Sequence, residues 1–299
     1  MVLAALFLTV AGNAQEKMKL LFKDGNVVTY NADDIKSFYF ETESGAQAAN
    51  CEIAFLDELA LTTEFAVECK YGSDTEYIMV RAYSEKAGLD NYGDEVLADD
   101  VANYGVRIDP STTVITAYSM PEGSNITLVL IAFNSEGKHG PVYRHRLTTH
   151  VEADEPMAKV TECKYNDDEF IYTIEIDDSK VLSYYLFEDF VDNITIGNTA
   201  AFGMLWRKAI AADPDKGEYV YGKTFTKART NGETMLEIAT WAVDFDDQFA
   251  GAIFHDIYYI DNASRKAKGT QGQGIKIEAY NKDELTKMIK SVNYKVVRR

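Results

Sequence analysis

The chain contains few cysteines, and their spacing excludes a metal-binding knuckle. Its 299 residues include 3 cysteines. No two of them form a Cys-x-x-Cys pair, so a zinc knuckle is excluded. An odd number also leaves at least one thiol free. We interpret Cys51, Cys69 and Cys163 as small buried apolar side chains. The alternative is a bridge from Cys51 to Cys69 across the first predicted hairpin.

Histidine is equally scarce, and no histidine stands in a pattern typical of nucleophilic catalysis. The chain contains 4 histidines and 5 prolines. It has neither a Gly-x-Ser-x-Gly elbow nor a Cys-Gly-x-Cys environment. His145 follows Arg144 on a predicted strand, so one of the two side chains faces solvent. We therefore assign no catalytic residue, and an enzyme is not the favoured interpretation.

Positive charge is in short supply, which excludes two classes of partner. The 30 lysines and arginines face 48 aspartates and glutamates, for a net charge of −18. Binding to nucleic acid or to an anionic lipid surface requires stripes of basic residues. We therefore predict no nucleic-acid partner and no docking on anionic membranes.

No apolar run in the sequence is long enough to span a membrane. The run at residues 2–10 is too short for a bilayer, and the small residues Gly12 and Ala14 follow it. This pattern predicts a signal peptide over residues 1–14, with cleavage after Ala14. The protein is then secreted, periplasmic or at the cell surface. A buried N-terminal strand is the alternative.

A long apolar strand, a turn and a second strand occupy residues 125–149. Both faces of residues 126–134 are apolar, so this strand should be covered on both sides or lie centrally in a sheet. Gly137 supplies a turn, and Pro141 and Thr148-Thr149 follow. The stretch resembles the last two strands of a fibronectin type III domain. That resemblance implies a β-sandwich and leaves the activity open.

The same order of predicted elements occurs twice, at residues 51–150 and 157–261. Each copy has three strands, a helix and further strands, and the helices are predicted at 91–104 and 199–212. The fold class is therefore mainly β: two tandem fibronectin III-like β-sandwiches, each with one inserted helix, plus small N- and C-terminal β/α units. Sandwiches with such a helix resemble a variant common in secreted proteins of anaerobic gut bacteria.

The second predicted helix carries a wide apolar stripe. The stripe contains Phe202, Leu205, Trp206, Ala209 and Ile210 at helical spacing. A stripe of this width on a short helix is typical of a face that covers a sheet. We therefore predict a structural helix, with any ligand site elsewhere.

Two small units flank the sandwiches. A polar linker at residues 43–50 follows the N-terminal unit, and an acidic linker at residues 152–156 joins the two sandwiches. Residues 17–41 contain two alternating runs around Asp24-Gly25, which predicts a hairpin, and a third short strand at 37–40. This pattern is similar to an N-terminal segment of many secreted proteins of anaerobic gut bacteria. The pattern of residues 274–299 predicts a strand, a helix and a second strand. We expect the two end units to pair with each other or to extend sheets of the second sandwich.

Acidic clusters occur at 166–169, 177–178, 188–192 and 244–247. They fall at the ends of predicted strands, where Asp and Asn form turns. A glycoside hydrolase would instead need two carboxylates flanking a cleft. Residues 213–218 are a partial calcium-loop pattern that also marks the end of a helix. We predict no cofactor and no metal site, with calcium at an acidic loop as the alternative.

Aromatic residues offer the remaining candidates for a binding site. The chain has 19 tyrosines, and adjacent tyrosines on a strand place one ring on each face. Exposed rings can stack on sugars or anchor a protein partner. Alternatively, these rings fill the sandwich cores and edges. The candidate ligand-binding residues are Tyr184, Tyr185, Tyr219, Tyr221, Tyr258 and Tyr259.

These observations favour a non-enzymatic secreted or surface protein for binding or adhesion, with a glycan or a protein as partner. One alternative is a carbohydrate-active hydrolase with an acidic pair, and another is a structural spacer or assembly subunit. A concave pocket with convergent carboxylates would indicate the enzyme, and a flat exposed aromatic strip would indicate the binding protein. The absence of both would indicate the spacer.

Overall fold

A separate hairpin opens the chain. In this computed structural model the described residues are 17–21, 27–31, 50–191, 196–214, 217–230, 232–260, 275–291 and 293–298. They belong to two units, Met1–Ala46 and Gln47–Arg299. In the first unit, β1 (Lys17–Leu21) pairs antiparallel with β2 (Val27–Asn31). The predicted signal peptide, the Asp24-Gly25 turn and the strand at 37–40 lie outside the described residues.

The second unit contains two similar halves, followed by a C-terminal segment. The first half has seven strands and one α-helix. They are β3 (Ile53–Ala60), β4 (Glu64–Tyr71), β5 (Tyr77–Ser84), α1 (Asp94–Tyr104), β6 (Val106–Ile108), β7 (Val114–Tyr118), β8 (Asn125–Phe133) and β9 (His139–Thr148). One sheet contains β3, β4 and β7, and the other has the order β6-β5-β8-β9. All pairs within the two sheets are antiparallel.

Alternation along the strands builds the core of this half. Phe65 and Val67 of β4 meet Leu128 and Leu130 of β8 in one buried cluster between the sheets. The opposite face of β8 is also buried, since Ile131 and its neighbours pack under α1. The prediction of a strand covered on both sides is thus confirmed.

The second half repeats the first, element by element. Its elements are β10 (Ala158–Tyr165), β11 (Glu169–Ile176), β12 (Val181–Phe190), α2 (Thr199–Ala212), β13 (Glu218–Tyr221), β14 (Thr224–Ala228), β15 (Met235–Asp244) and β16 (Phe249–Tyr259). β10, β11 and β14 form one sheet, and β12, β15 and β16 belong to the other. The predicted fold class, mainly β with one helix inserted in each sandwich, is confirmed.

The cysteines occupy the cores as free thiols. Cys51, Cys69 and Cys163 are all buried and unbridged. The register of the first hairpin places Phe55, not Cys51, opposite Cys69. The alternative of a Cys51–Cys69 bridge is therefore wrong, because Cys51 would lie opposite Cys69 only if the hairpin turned at an earlier residue.

The last three elements are shared between the halves. They are β17 (Lys276–Tyr280), α3 (Lys282–Ser291) and β18 (Tyr294–Arg298). β17 pairs with β7 at the edge of a first-half sheet. β18 lies between β12 and β13, so the five-stranded sheet has the order β13-β18-β12-β15-β16. The strand–helix–strand order agrees with the prediction, but only β18 extends a sheet of the second half.

Helix α2 lies between the two halves. It contacts β3, β4 and β7 of the first half on one side. On its other sides it contacts β16 of the second half and α3. Gly203 lies where the packing is tightest, since a Cβ there would be 2.9 Å from Leu59 Cδ2 and 2.5 Å from Ile253 Cδ1. The apolar stripe predicted to cover one sheet is thus part of a helix buried by both halves. The buried side chains include Ala200, Phe202, Met204, Leu205, Trp206 and Ile210.

The polar stretch 152–156 between the halves is also held in place. Glu155 Oε1 lies 2.7 Å from His150 Nδ1, and its Oε2 accepts a hydrogen bond from the main-chain N–H of Gly251. These contacts tie the end of the first half to β16. No described helix is long and apolar enough to cross a membrane.

Candidate functional site

The structure separates the six candidate tyrosines into two groups at different places on the five-stranded sheet. Tyr185 lies in a row with Val296 on β18 and Trp241 on β15. Tyr258 pairs with Leu236 towards the other end of β15. Tyr184, Tyr185, Tyr219 and Tyr221 therefore share one region, whereas Tyr258 and Tyr259 lie apart from it.

Burial removes two of the six tyrosines from any exposed surface. Tyr184 is 3% exposed and Tyr258 is 8% exposed, and both belong to the core beneath the five-stranded sheet. Burial raises the pKa of both hydroxyls above its ordinary value. Tyr259 is half-buried. The core-filling alternative thus describes Tyr184 and Tyr258.

Two tyrosines project from the free edge of the sheet. β13 pairs only with β18 among the described strands, so its outer edge is open. Tyr219 and Tyr221 are two positions apart and therefore lie on the same face. They are 49% and 73% exposed. Short edge strands bury little, which explains why these rings remain outside the core.

An arginine on the neighbouring strand orients this pair. The guanidinium carbon of Arg298 lies 4.4 Å from the centre of the Tyr219 ring, and Arg298 is the register partner of Tyr221. Tyr185 stands further in, with its ring centre 5.8 Å from that of Tyr294. Burial raises the pKa of Tyr185, and the charge of Arg298 opposes that effect. We call Tyr185, Tyr219, Tyr221 and Arg298 the tyrosine edge.

The opposite face of the same strands has a small cavity. Its volume is about 350 Å³, and Leu182, Tyr184 and Val297 contribute apolar lining. Lys223 and Asp178 also line it. The buried Tyr184 thus borders a cavity close to the tyrosine edge, although its ring has no free face.

A large groove lies on the first half. It measures about 1010 Å³ and runs along β5, with Arg81 and the exposed ring of Tyr104 among its lining residues. Tyr104 ends α1, and the helix pattern alone gave no sign that it would border a groove. Glu85 is the only carboxylate among the lining residues. The groove therefore lacks the acidic pair that a hydrolase would need.

Three of the four acidic clusters form turns, as predicted, whereas Glu188 and Asp189 of the fourth lie within β12 and Glu188 is buried. The side-chain oxygens of Asn166, Asp177 and Asp244 each accept a hydrogen bond from the main-chain N–H two residues later. Hydrogen bonds from the Ser179 hydroxyl and main chain lower the pKa of Asp177. Among the described residues no group of three His, Cys, Asp or Glu side chains could hold a metal ion. Asp215, part of the partial calcium pattern, lies outside the described ranges.

A buried polar cluster beneath α2 was not predicted from the sequence. Glu237 is fully buried, and its Oε1 lies 2.7 Å from His255 Nε2. Both of its carboxylate oxygens also accept from the main-chain N–H of Ile196. His255 Nδ1 in turn lies 3.4 Å from Thr199 Oγ1. The apolar pattern around Glu237 gave no indication of this cluster, and none of its members lines the grooves described above.

No protein-family model matches the chain, and no curated protein matches it in sequence. Among solved structures, the fibronectin(III)-like modules of Clostridium thermocellum CbhA match over 70% of this chain and 94% of theirs, with 13% identity and a TM-score of 0.25. A two-domain fibronectin type III segment of chicken tenascin matches over 70% and 97%, with 8% identity and a TM-score of 0.24. Chicken CNTN1 FN1–FN3 domains match over 81% and 77%, with 10% identity and a TM-score of 0.26. TM-scores this low support no conclusion, and the fold is established by the strand pairing.

Proposed function

We propose that the chain is a non-enzymatic binding or adhesion protein that recognises a glycan through the tyrosine edge. The observation that carries this proposal is the pair of exposed rings on one face of β13, with Arg298 stacked on the first of them. Tyrosine rings offer an apolar face to the C–H groups of a sugar and a hydroxyl to its oxygens. The stacked guanidinium orients the Tyr219 ring before any ligand arrives, which lowers the entropic cost of binding.

The dimensions of the tyrosine edge favour a glycan over a protein partner. Tyr219 and Tyr221 lie two residues apart on a strand, hence about 6.6 Å apart along it. A stable protein interface buries about 800 Å² on each partner around an apolar centre. β13 has only four residues, and its first, Glu218, is an exposed charge. Such a narrow strip suits a chain of sugar rings better than a broad protein surface.

The same geometry weighs against the two alternatives. The groove along β5 has one carboxylate among its lining residues, so it gives no support to the hydrolase. A pure spacer gains nothing from two large rings held in solvent, since they add little to the stability of the sheet. We therefore favour a binding role.

A glycan array with a parallel hydrolysis screen tests the proposal. We expect the native chain to bind at least one class of glycan without releasing reducing ends. Replacement of Tyr219 and Tyr221 together by alanine should weaken that binding at least about tenfold, because central aromatic contacts typically contribute more than 1 kcal/mol each. Tyr165→Ala is the matched control, because Tyr165 is a 42% exposed tyrosine on β10. Unchanged binding by the double variant would overturn the proposal.

We extend the proposal to a secreted or surface location. It rests on the apolar run at residues 2–10 and the small residues before Gln15. N-terminal sequencing of the native protein should find Gln15 first, and retention of Met1 would contradict it.

A further inference from the structure

The strand that follows the helix is placed differently in the two halves. In the first half, β6 pairs directly with β5, and Met79 lies opposite Arg107. In the second half β18 takes that position, and Tyr185 lies opposite Val296. The strand equivalent to β6 is β13, and it lies one position further out. β18 is therefore an additional strand inserted into a sheet whose counterpart lacks it.

The segment that carries β18 is an addition to both halves. Strands β3–β9 correspond one to one with β10–β16, and each set forms two sheets. The segment at residues 275–298 adds β17 to the first half, lays α3 on α2 and inserts β18 in the second half. It is joined to both halves largely by strand pairing and apolar packing. We call residues 275–298 the added segment.

The register shows that β13 could fill the place of β18. β13 runs parallel to β18, with Tyr219 beside Val296 and Val220 beside Val297. Because β18 is antiparallel to β12, β13 already has the direction that β6 has relative to β5. A sideways shift of one strand spacing, about 4.8 Å, would bring β13 onto β12. If β18 left the sheet, β13 could pair with β12 in its place, and the main-chain groups of β12 would not stay unpaired. This lowers the free-energy cost of releasing β18.

One charge pair explains why β18 holds the position in the structure. Lys295 forms an ion pair with Glu188, which is 8% exposed and also accepts from the Tyr172 hydroxyl. The register partner of Lys295 on β13 is Glu218. A shift of β13 would place this carboxylate where Lys295 lies and leave Glu188 without its cation, which is costly for a buried charge. The place between β12 and β13 therefore favours a strand that has a cationic side chain at the position of Lys295.

We propose that the site between β12 and β13 is a strand-acceptor site, and that a second copy of this chain can fill it with its own added segment. A second copy carries the same residues 275–298, so exchange would restore the pairing with β12 and β7 and the Lys295–Glu188 pair. Such an exchange of identical elements is a low-cost route to a dimer. This inference does not depend on glycan binding.

Uptake of a labelled peptide tests the acceptor site. A fluorescent peptide with the sequence of residues 275–299 is added to the full chain, and its anisotropy is followed over hours. We expect slow uptake by the native chain and at least about tenfold faster uptake by Lys295→Glu, which breaks the charge pair of the resident strand. The control is the same peptide with Val296→Asp, which should not bind because Val296 is buried.

A second measurement identifies the occupant. Two samples of full chain with different fluorophores are mixed at high concentration and analysed by energy transfer and light scattering. Mixed dimers of the native chain, disrupted by excess peptide, support exchange between copies. Uptake of the peptide without mixed dimers would refute the second copy as occupant.

Failure of uptake would overturn the acceptor site itself. The decisive case is a Lys295→Glu chain that keeps the circular dichroism of the native protein and still excludes the peptide. Should that variant not fold, Val297→Ala loosens β18 more gently, because it removes only two methyl groups. A folded Val297→Ala chain that excludes the peptide as the native chain does would show that β18 is a fixed part of the sheet.

Discussion

Glu64 and Glu68 lie on the same face of β4, four residues apart, and their pKa values are shifted in opposite directions. Burial raises the pKa of Glu64, which accepts a 2.9 Å hydrogen bond from Asn198 at the start of the helix. Burial alone would also raise the pKa of Glu68. The hydrogen bonds and charges of Lys208 and Lys282 outweigh that effect and lower it. β4 therefore contacts α2 near both ends of the helix, through Glu64 at its start and Glu68 towards its end.

Replacement of Glu68 by glutamine should destabilise the protein. The carboxylate is 3% exposed, and its loss would leave Lys208 and Lys282 without this partner. Removing one member of a buried pair costs about 3–5 kcal/mol, and the partly exposed lysines reduce this to about 2 kcal/mol. Urea denaturation at pH 7 measures the difference.

The pH dependence of that difference provides the control. A lowered folded-state pKa stabilises the protein above the ordinary value of 4.5 and loses this effect as the pH falls through the folded-state pKa. The gap between the native chain and Glu68→Gln should therefore shrink in acid. A gap that stays constant down to pH 3 would show that the charge of Glu68 is not its cause.

Glu64→Gln should act in the opposite direction. A raised folded-state pKa means that the native carboxyl favours folding most below 4.5, and that this contribution is lost as the pH rises through the folded-state pKa. At pH 7 the variant should be as stable as the native chain or more stable, because it carries no charge into the buried position. This advantage should vanish at pH 4. A variant clearly less stable at pH 7 would mean that the hydrogen bond from Asn198 outweighs the cost of burial.

Trp206→Ala should lower stability by about 3–5 kcal/mol, the range for large-to-small changes in a core. Trp206 is fully buried, with its ring centre 6.2 Å from those of Tyr185 and Trp241. Glycan binding measured below the new melting temperature should be retained, since the exposed rings of β13 do not depend on it directly. A variant that melts like the native chain but no longer binds would place Trp206 in the ligand site.

Trp206→Phe is the matched variant and should cost less. Trp206 Nε1 is buried and has no hydrogen-bond partner among the described residues. Phenylalanine keeps most of the apolar surface and removes a polar group whose burial is unfavourable. Equal losses for the alanine and phenylalanine variants would show that Nε1 makes an important contact.

Limited proteolysis should cut first within residues 43–50 and leave a stable fragment of the remaining chain. The sequence predicts a second cut at 152–156, but Glu155 is bound to His150 and Gly251 there. Any chain nicked at this point should elute as a single species under native conditions, because α2 packs on both halves. Separation of the two pieces on a sizing column would show that each half is independent.

Much of the fold could be predicted from local patterns, and the candidate site only in part. The apolar faces of residues 126–134 and the stripe around Trp206 predicted a covered strand and a helix with one face packed on a sheet, because both patterns depend only on the geometry of one element. The tyrosine pattern identified Tyr219 and Tyr221 together with Tyr184 and Tyr258. It could not separate them, since exposure depends on which strand becomes the edge of the sheet.

The sequence by itself therefore determined the strands, the inserted helices, the repeat of one plan and the turns at Asp177 and Asp244. All of these follow from periodicity or from hydrogen bonds within a few residues. Only the tertiary structure decided that α2 is enclosed by both halves and that β17 and β18 belong to different sheets. It also decided that β18 lies between β12 and β13, which leaves Tyr219 and Tyr221 at the edge. These outcomes depend on strands far apart in the chain, such as β7 and β17 or β12 and β18, and no local pattern specifies which of several compatible edges such strands will join.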